Sequence, residues 1–131
     1  MPQQPDSEKV TINLGFVDLG HVDLLVREGF YGNRTDFIRT AIRNQLERHG
    51  EAARQSVTRR QLQLGLCQLS VRDLEAARAV GEMLDLRVLG LLTIAPDVTP
   101  DLARAAIGSV TVLGALHADP AVKLALADRI A

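Results

Sequence analysis

The sequence predicts an α+β part, a lone strand followed by two helices over residues 9–49, and after it a small α/β domain of strand-helix repeats over residues 61–131. Two observations predict this. Lys9, Val10, Thr11, Ile12, Asn13 and Leu14 alternate polar and apolar and run straight into two amphipathic helical patterns. Beyond residue 60 the chain repeats itself at a spacing of 24 residues.

Alternation places Val10, Ile12 and Leu14 on one side of the strand and Lys9, Thr11 and Asn13 on the other. One strand and two helices cannot bury that apolar side alone, so a second copy is the expected partner. Gly15 and Phe16 end the strand, and Asp18 stands where a helix N-cap is expected, with Val17 and Val22 placed as a hydrophobic staple. The first helix is expected over 19–28, with Leu19, Val22, Leu25 and Val26 on one face and Gly29 ending it. Asn33 caps the second, Asp36 favours its N-terminal dipole, and the helix runs from Arg34 at least to Arg48. Phe37, Ile38, Ala41, Ile42 and Leu46 form its apolar face, and Arg39, Arg43, Glu47 and Arg48 its solvated one. His21 and His49 are expected to be exposed.

Composition narrows the function. The chain has 131 residues, 47% of them hydrophobic, too apolar for a disordered body. Fifteen basic residues stand against sixteen acidic, nine against eight up to and including residue 60 and six against eight after it. Bulk charge therefore gives no support for nucleic-acid binding, and local arrangement must carry any such case. Residues 1–8 read as a disordered tail. The N-terminus lacks the pattern of a secretion signal and no apolar run approaches a membrane span, which gives an expected cytoplasmic, nucleoid-associated location. Cys67 is the single cysteine and is expected to act as a small buried hydrophobe.

Strand, helix, a tight turn of glycine and aromatic residues, helix: residues 9–48 resemble a ribbon-helix-helix domain of the CopG and Arc type. The segment from Gly29 to Arg43 carries most of the likeness. The resemblance implies a dimer in which two strands form an antiparallel ribbon above four helices, with the ribbon in the DNA major groove. It implies that Lys9, Thr11 and Asn13 contact bases. Asn suits adenine, Lys suits guanine, and Thr offers a hydroxyl or meets a thymine methyl. It also implies that the helix N-terminus at Asn33, Arg34 and Thr35 holds a phosphate, and that Val10, Ile12, Leu14, Phe37, Ile38 and Ile42 form the dimer core.

Residues 50–60 read as a linker or a helical extension. A strand is then expected at Leu62, Leu64 and Leu66, and Ser70 with Asp73 caps a helix reaching about Leu84. A second strand is expected over 87–94 with a helix capped by Thr99, and a third over 110–116 with a helix over 120–130. Val88, Leu89, Gly90, Leu92, Pro96, Val98, Leu102 and Ala103 match Val112, Leu113, Gly114, Leu116, Pro120, Val122, Leu126 and Ala127 without a gap. Leu64, Gly65 and Leu66 form a looser first copy. The repeat fits a short parallel-sheet solenoid, or equally a compact α/β domain with shared packing. Either form exposes strand edges, so this part is expected to self-associate into tetramers or larger assemblies, the last strand giving the contact edge.

The function expected from these features is sequence-specific transcriptional regulation of double-stranded DNA, with repression favoured, and with no enzymatic activity, cofactor, metal or membrane partner. A DNA-tethered filament or partition protein is the alternative, and an effector-sensing regulator another. Nickel-responsive regulators carry a βαββαβ domain and several histidines, whereas Cys67 and His117 are the only such candidates after residue 60. Antitoxins of this class end in a disordered tail, unlike the patterned repeat here.

Overall fold

The computed structural model describes residues 7–131 and divides into two compact units, residues 1–54 and 55–131. The expected tail over 1–8 lies, for residues 1–6, outside the described residues.

In the first unit, residues 8–15 carry neither helix nor strand pairing. The strand expected at 9–14 is absent for a physical reason: a ladder needs a second strand, and a single chain offers this segment no neighbour. Helix α1 spans Phe16–Arg27 and helix α2 spans Arg34–Arg48. The first begins three residues before the expected start. Its N-cap is Gly15 in an extended conformation without a side-chain cap, and Asp18 lies in the first turn, where a carboxylate still favours the helix dipole. Val17 is exposed, so the expected staple on Val22 is not made. The second helix starts as expected: the Asn33 side chain accepts from the Asp36 amide at 2.8 Å, and the Asp36 carboxylate accepts from the Gly32 amide at 2.9 Å. Tyr31 and Phe37 meet edge to face at 5.0 Å, which fixes the turn between the helices.

Helix α3, Gly50–Arg60, takes the helical form of the two expected for this stretch, linker or helical extension. Glu51, Ala52, Ala53, Arg54 and Gln55 are strong helix formers, and an Arg54–Glu51 ion pair lies along the surface.

The second unit alternates strand and helix three times: β1 Gln63–Leu69, α4 Val71–Ala79, β2 Leu84–Ile94, α5 Pro100–Ala106, β3 Ile107–His117 and α6 Pro120–Ala125. The three strands form one parallel sheet in the order β1-β2-β3. Gln63, Val88 and Val112 share one register row, and Cys67, Leu92 and Leu116 another, so the sequence repeat is also the structural register. Helices α4, α5 and α6 neighbour one another in the same order. Local chemistry explains the helix starts. Ser70 and Asp73 make a full capping box, Thr99 accepts from the Leu102 amide, and Asp119 accepts from the Ala121 amide.

Several expected boundaries shift. The helix after Ser70 ends at Ala79, since Gly81 at positive φ turns the chain and Leu84 already begins β2. The last helix stops at Ala125, because the chain then turns back to bridge Ile130 to Val110.

The core lies between the sheet and its helices. Leu74, Val88, Leu92, Ala103, Ala106, Ile107, Val110, Val122 and Leu126 are buried, and Cys67, Leu69, Val112 and Leu116 pack against them. Cys67 is a partly buried free thiol. The opposite sheet face carries leucines in matched rows: Leu64, Leu89 and Leu113 in one, Leu66, Leu91 and Ala115 in the next. Leu64 and Leu66 are 63% and 74% exposed, so this face is apolar and open.

Three glycines also share a row, Gly65, Gly90 and Gly114, all at positive φ (+108°, +139° and +123°). A Cβ on Gly90 would collide with the Gly65 carbonyl, and one on Gly114 with the Gly90 carbonyl. Close strand approach requires glycine there.

Candidate nucleic-acid interface

Lys9, Thr11 and Asn13 are exposed, and so are the apolar side chains between and beside them: Val10 is 78% exposed, Ile12 56% and Leu14 41%. Exposure of both sides is costly. Each apolar residue left in water forgoes about 1.5–3 kcal/mol of burial free energy.

The same deficit marks the helices that follow. Among the described residues of this unit only Val22 is buried; Leu24, Phe30, Ile42 and Leu46 are exposed, while Phe37 and Ile38 are half-buried. Six residues were expected to form a dimer core. Four of them, Val10, Ile12, Leu14 and Ile42, are open in the single chain, and the other two are partly covered. His21, Arg39, Arg43 and His49 are exposed on their helices.

At the start of α2 the chain brings Asn33, Arg34 and Thr35 together on an exposed helix end. The amides of Arg34 and Thr35 occupy the first turn, where no intrahelical acceptor exists. The Asn33 side chain is already used as the cap, so its contribution there is to shape the end.

Sequence spacing gave no sign of one partner. Arg34 donates through Nε and Nη2 to both carboxylate oxygens of Asp23 on α1, at 2.7 and 2.8 Å. This fork holds the Asp23 carboxyl below the usual carboxylate range, and the bond from Arg34 is the main cause. The arginine is raised in turn by the same bond. Because the residues lie eleven positions apart on different helices, no local motif signals the pair. Arg34 therefore enters any anion contact from an existing ion pair.

In the second unit, Asp85 accepts from the Ser109 hydroxyl at 2.5 Å and from Arg87 at 2.9 Å, while Arg87 also donates to the Arg60 carbonyl. The Ser109 bond is the larger cause of a lowered Asp85 carboxyl, with Arg87 adding to it. These bonds tie β2 to β3 and to the end of α3. An open groove of about 670 Å³ beside β1 is lined by residues including Gln61, Gln63, Cys67, Asp73 and Arg87. Among the described residues no group of three or more His, Cys, Asp or Glu side chains is placed to hold a metal ion, and no helix is long and apolar enough to cross a membrane.

An extended segment with alternating polar and apolar side chains, followed by a helix pair whose second N-terminus is exposed, is the arrangement expected of a class of DNA-binding module. The model of the ribbon-helix-helix transcriptional regulator family matches residues 5–123, and the chain belongs to that family. The match runs through both units, so the strand-helix repeat is part of the family pattern. Membership assigns the chain to the DNA-binding transcriptional regulators. No curated protein and no solved structure shows significant similarity to it.

Proposed function

We propose that this regulator binds operator DNA as a homodimer, with residues 9–14 of two chains paired as an antiparallel ribbon in the major groove. The observation that carries this reading is the simultaneous exposure of Val10, Ile12 and Leu14 on a segment that has no pairing in the single chain. Pairing two such segments satisfies their backbone groups and buries those side chains against Ile42 and Leu46, the open apolar residues of α2. Lys9, Thr11 and Asn13 then face the base edges. Their chemistry suits adenine and guanine acceptors and the thymine methyl.

The amides of Arg34 and Thr35, shaped by the Asn33 cap, hold a backbone phosphate and set the ribbon's depth in the groove. Phe37 and Ile38 complete the dimer core. The second unit joins dimers into larger assemblies, and repression follows from the stretch of operator such an assembly occupies. The chain performs no chemistry in this reading and works without a cofactor.

Selection of bound sites from a random DNA pool, followed by binding of single-base variants, tests the reading. Two half-sites related by a dyad are the expected result. Recovery of no preferred sequence, or of a single undivided site bound by one chain, overturns it.

A further inference from the structure

We infer that the strand-helix unit stacks head to tail on a second copy of this chain, with β1 of one copy added in parallel to the outer edge of β3 of the other. This deepens the self-association proposed above and rests on it, because it names the surface and the geometry. It asks nothing of the DNA contacts.

Both outer edges of the sheet present backbone groups without strand partners among the described residues, apart from one bridge. On β3 the Val110 amide donates to the Arg129 carbonyl, and the Val110 carbonyl accepts from the Ala131 amide. The groups of Val110 therefore point outward, and by strand alternation those of Val112, Gly114 and Leu116 do too. On β1 the Leu69 carbonyl accepts from Ala95 at the end of β2, so Leu69 points inward and Leu64, Leu66 and Gln68 point to the free edge. The two edges thus offer complementary groups at matching intervals.

The register within the chain fixes the register between copies. Gln63 pairs with Val88 and Val88 with Val112, so an incoming Gln63 lies opposite Val112 when the same step is taken again. The incoming Gly65 then lies opposite Gly114, with the Leu66 amide on the Gly114 carbonyl. The bridge to Ile130, with bonds from Val110 to Arg129 and Ala131, occupies β3 at Val110, two residues before the position that the first residue of β1 would take.

Steric fit is equally specific. Inside the chain, each glycine carbonyl of the row sits where the next strand's Cβ would be. Gly65 has the same positive φ as the other two, yet no heavy atom lies within 4 Å of the Cβ position on its open side. It is shaped to accept a carbonyl like that of Gly114, and Gly114 offers one. The open leucine rows continue across such a junction, and Leu124, 79% exposed on α6, lies on the helix that would meet the incoming α4. A contact between two different edges does not close on itself with two copies. It therefore grows, as a ring or an open stack.

The test uses the full chain without DNA, measuring mass by light scattering as concentration rises, with three sequences. Wild type is expected to exceed the mass of a dimer progressively. Gln68→Pro removes one outward amide from an exposed edge position that tolerates proline, and is expected to hold the mass at a dimer. Leu91→Lys places a charge in the middle of the open sheet face and is expected to leave growth unchanged. Growth stopped by Leu91→Lys and untouched by Gln68→Pro would assign the association to the sheet face, overturning the edge contact and keeping self-association. Wild type fixed at a dimer would overturn both. Should Gln68→Pro fail to fold, amide exchange of wild type decides: slow exchange at Leu66 and Gln68 that deepens with concentration supports the stack, and fast exchange at every concentration refutes it.

Discussion

Replacing Gly90 by alanine is the sharpest probe of how the repeat holds together. At φ +139° an alanine pays about 1–3 kcal/mol in backbone strain. Its Cβ also meets the Gly65 carbonyl, which belongs to the neighbouring strand and cannot swing aside as a side-chain tip would. The strands must part there, at a cost of at least one ladder hydrogen bond, or about 1 kcal/mol. The sum is roughly 2–4 kcal/mol. For a unit of this size it corresponds to a fall in melting temperature of roughly 10–30 °C.

Gly65→Ala supplies the control, because it carries the positive φ without the collision and should cost about 1–3 kcal/mol from strain alone. Far-ultraviolet circular dichroism melts and urea titrations on dilute protein give both values. A Gly90→Ala variant no less stable than Gly65→Ala would refute the reasoning, since the carbonyl contact would then cost nothing. At high concentration the order of interest changes: Gly65→Ala should restrict stacking, because its Cβ lies on the docking edge.

Further expectations concern the DNA-facing unit and the core. Asn13→Ala should cost about 1–3 kcal/mol on the preferred site and little on unrelated DNA, measured by fluorescence anisotropy; equal losses on both would remove Asn13 as a base reader. Asp23→Asn releases Arg34 from its ion pair, so binding to all sequences should strengthen and its salt dependence steepen, whereas Arg34→Ala should do the reverse. Leu92→Ala, at a buried position in the central strand, should lower the stability of the second unit by about 2–5 kcal/mol in urea titrations. Asp73, Asp85 and Asp128 are each held below the ordinary carboxylate range, Asp73 chiefly by the Ser70 amide, Asp85 by the Ser109 hydroxyl and Asp128 by Arg104. A depressed folded value stabilises the fold above the unfolded-state pKa and loses that effect as pH falls through the folded one. Urea midpoints should thus hold steady from neutrality down to the carboxylate range and drop below it, with a shallower drop in Asp85→Asn; a midpoint that rises in acid would contradict this.

Features set by neighbouring residues were legible in the sequence. Asn33 with Asp36, Ser70 with Asp73, and Thr99 all start helices through contacts within one turn, and such caps depend on little else. The repeat was legible because stacking equal units forces side chains of one kind into one row, so Val88 and Val112 match in sequence and in register. The start of the first helix is not legible in the sequence, since Gly15 caps it without a side chain and leaves no polar signature. Residues 50–60 read equally as linker or helix, because they favour helix without an apolar stripe to show it. The Asp23–Arg34 pair depends on how two helices meet, and no spacing rule reports that. The segment 9–14 shows the opposite limit: its alternation is plain in the sequence, yet the strand it implies requires a second chain.

The near-equal step between rungs, 25 residues from Gln63 to Val88 and 24 from Val88 to Val112, has a consequence for how such a chain varies. Each strand-helix unit bonds only to the one before and the one after, through the same glycine contact and the same rows of leucine and valine. A rung is therefore a unit of exchange. Duplication of the stretch from Leu89 to Val112 would lengthen the sheet by one strand while leaving every existing junction intact, whereas loss of part of a rung would shift all later rows out of register. The length of this domain is free to change in whole rungs and resists change by fractions of one.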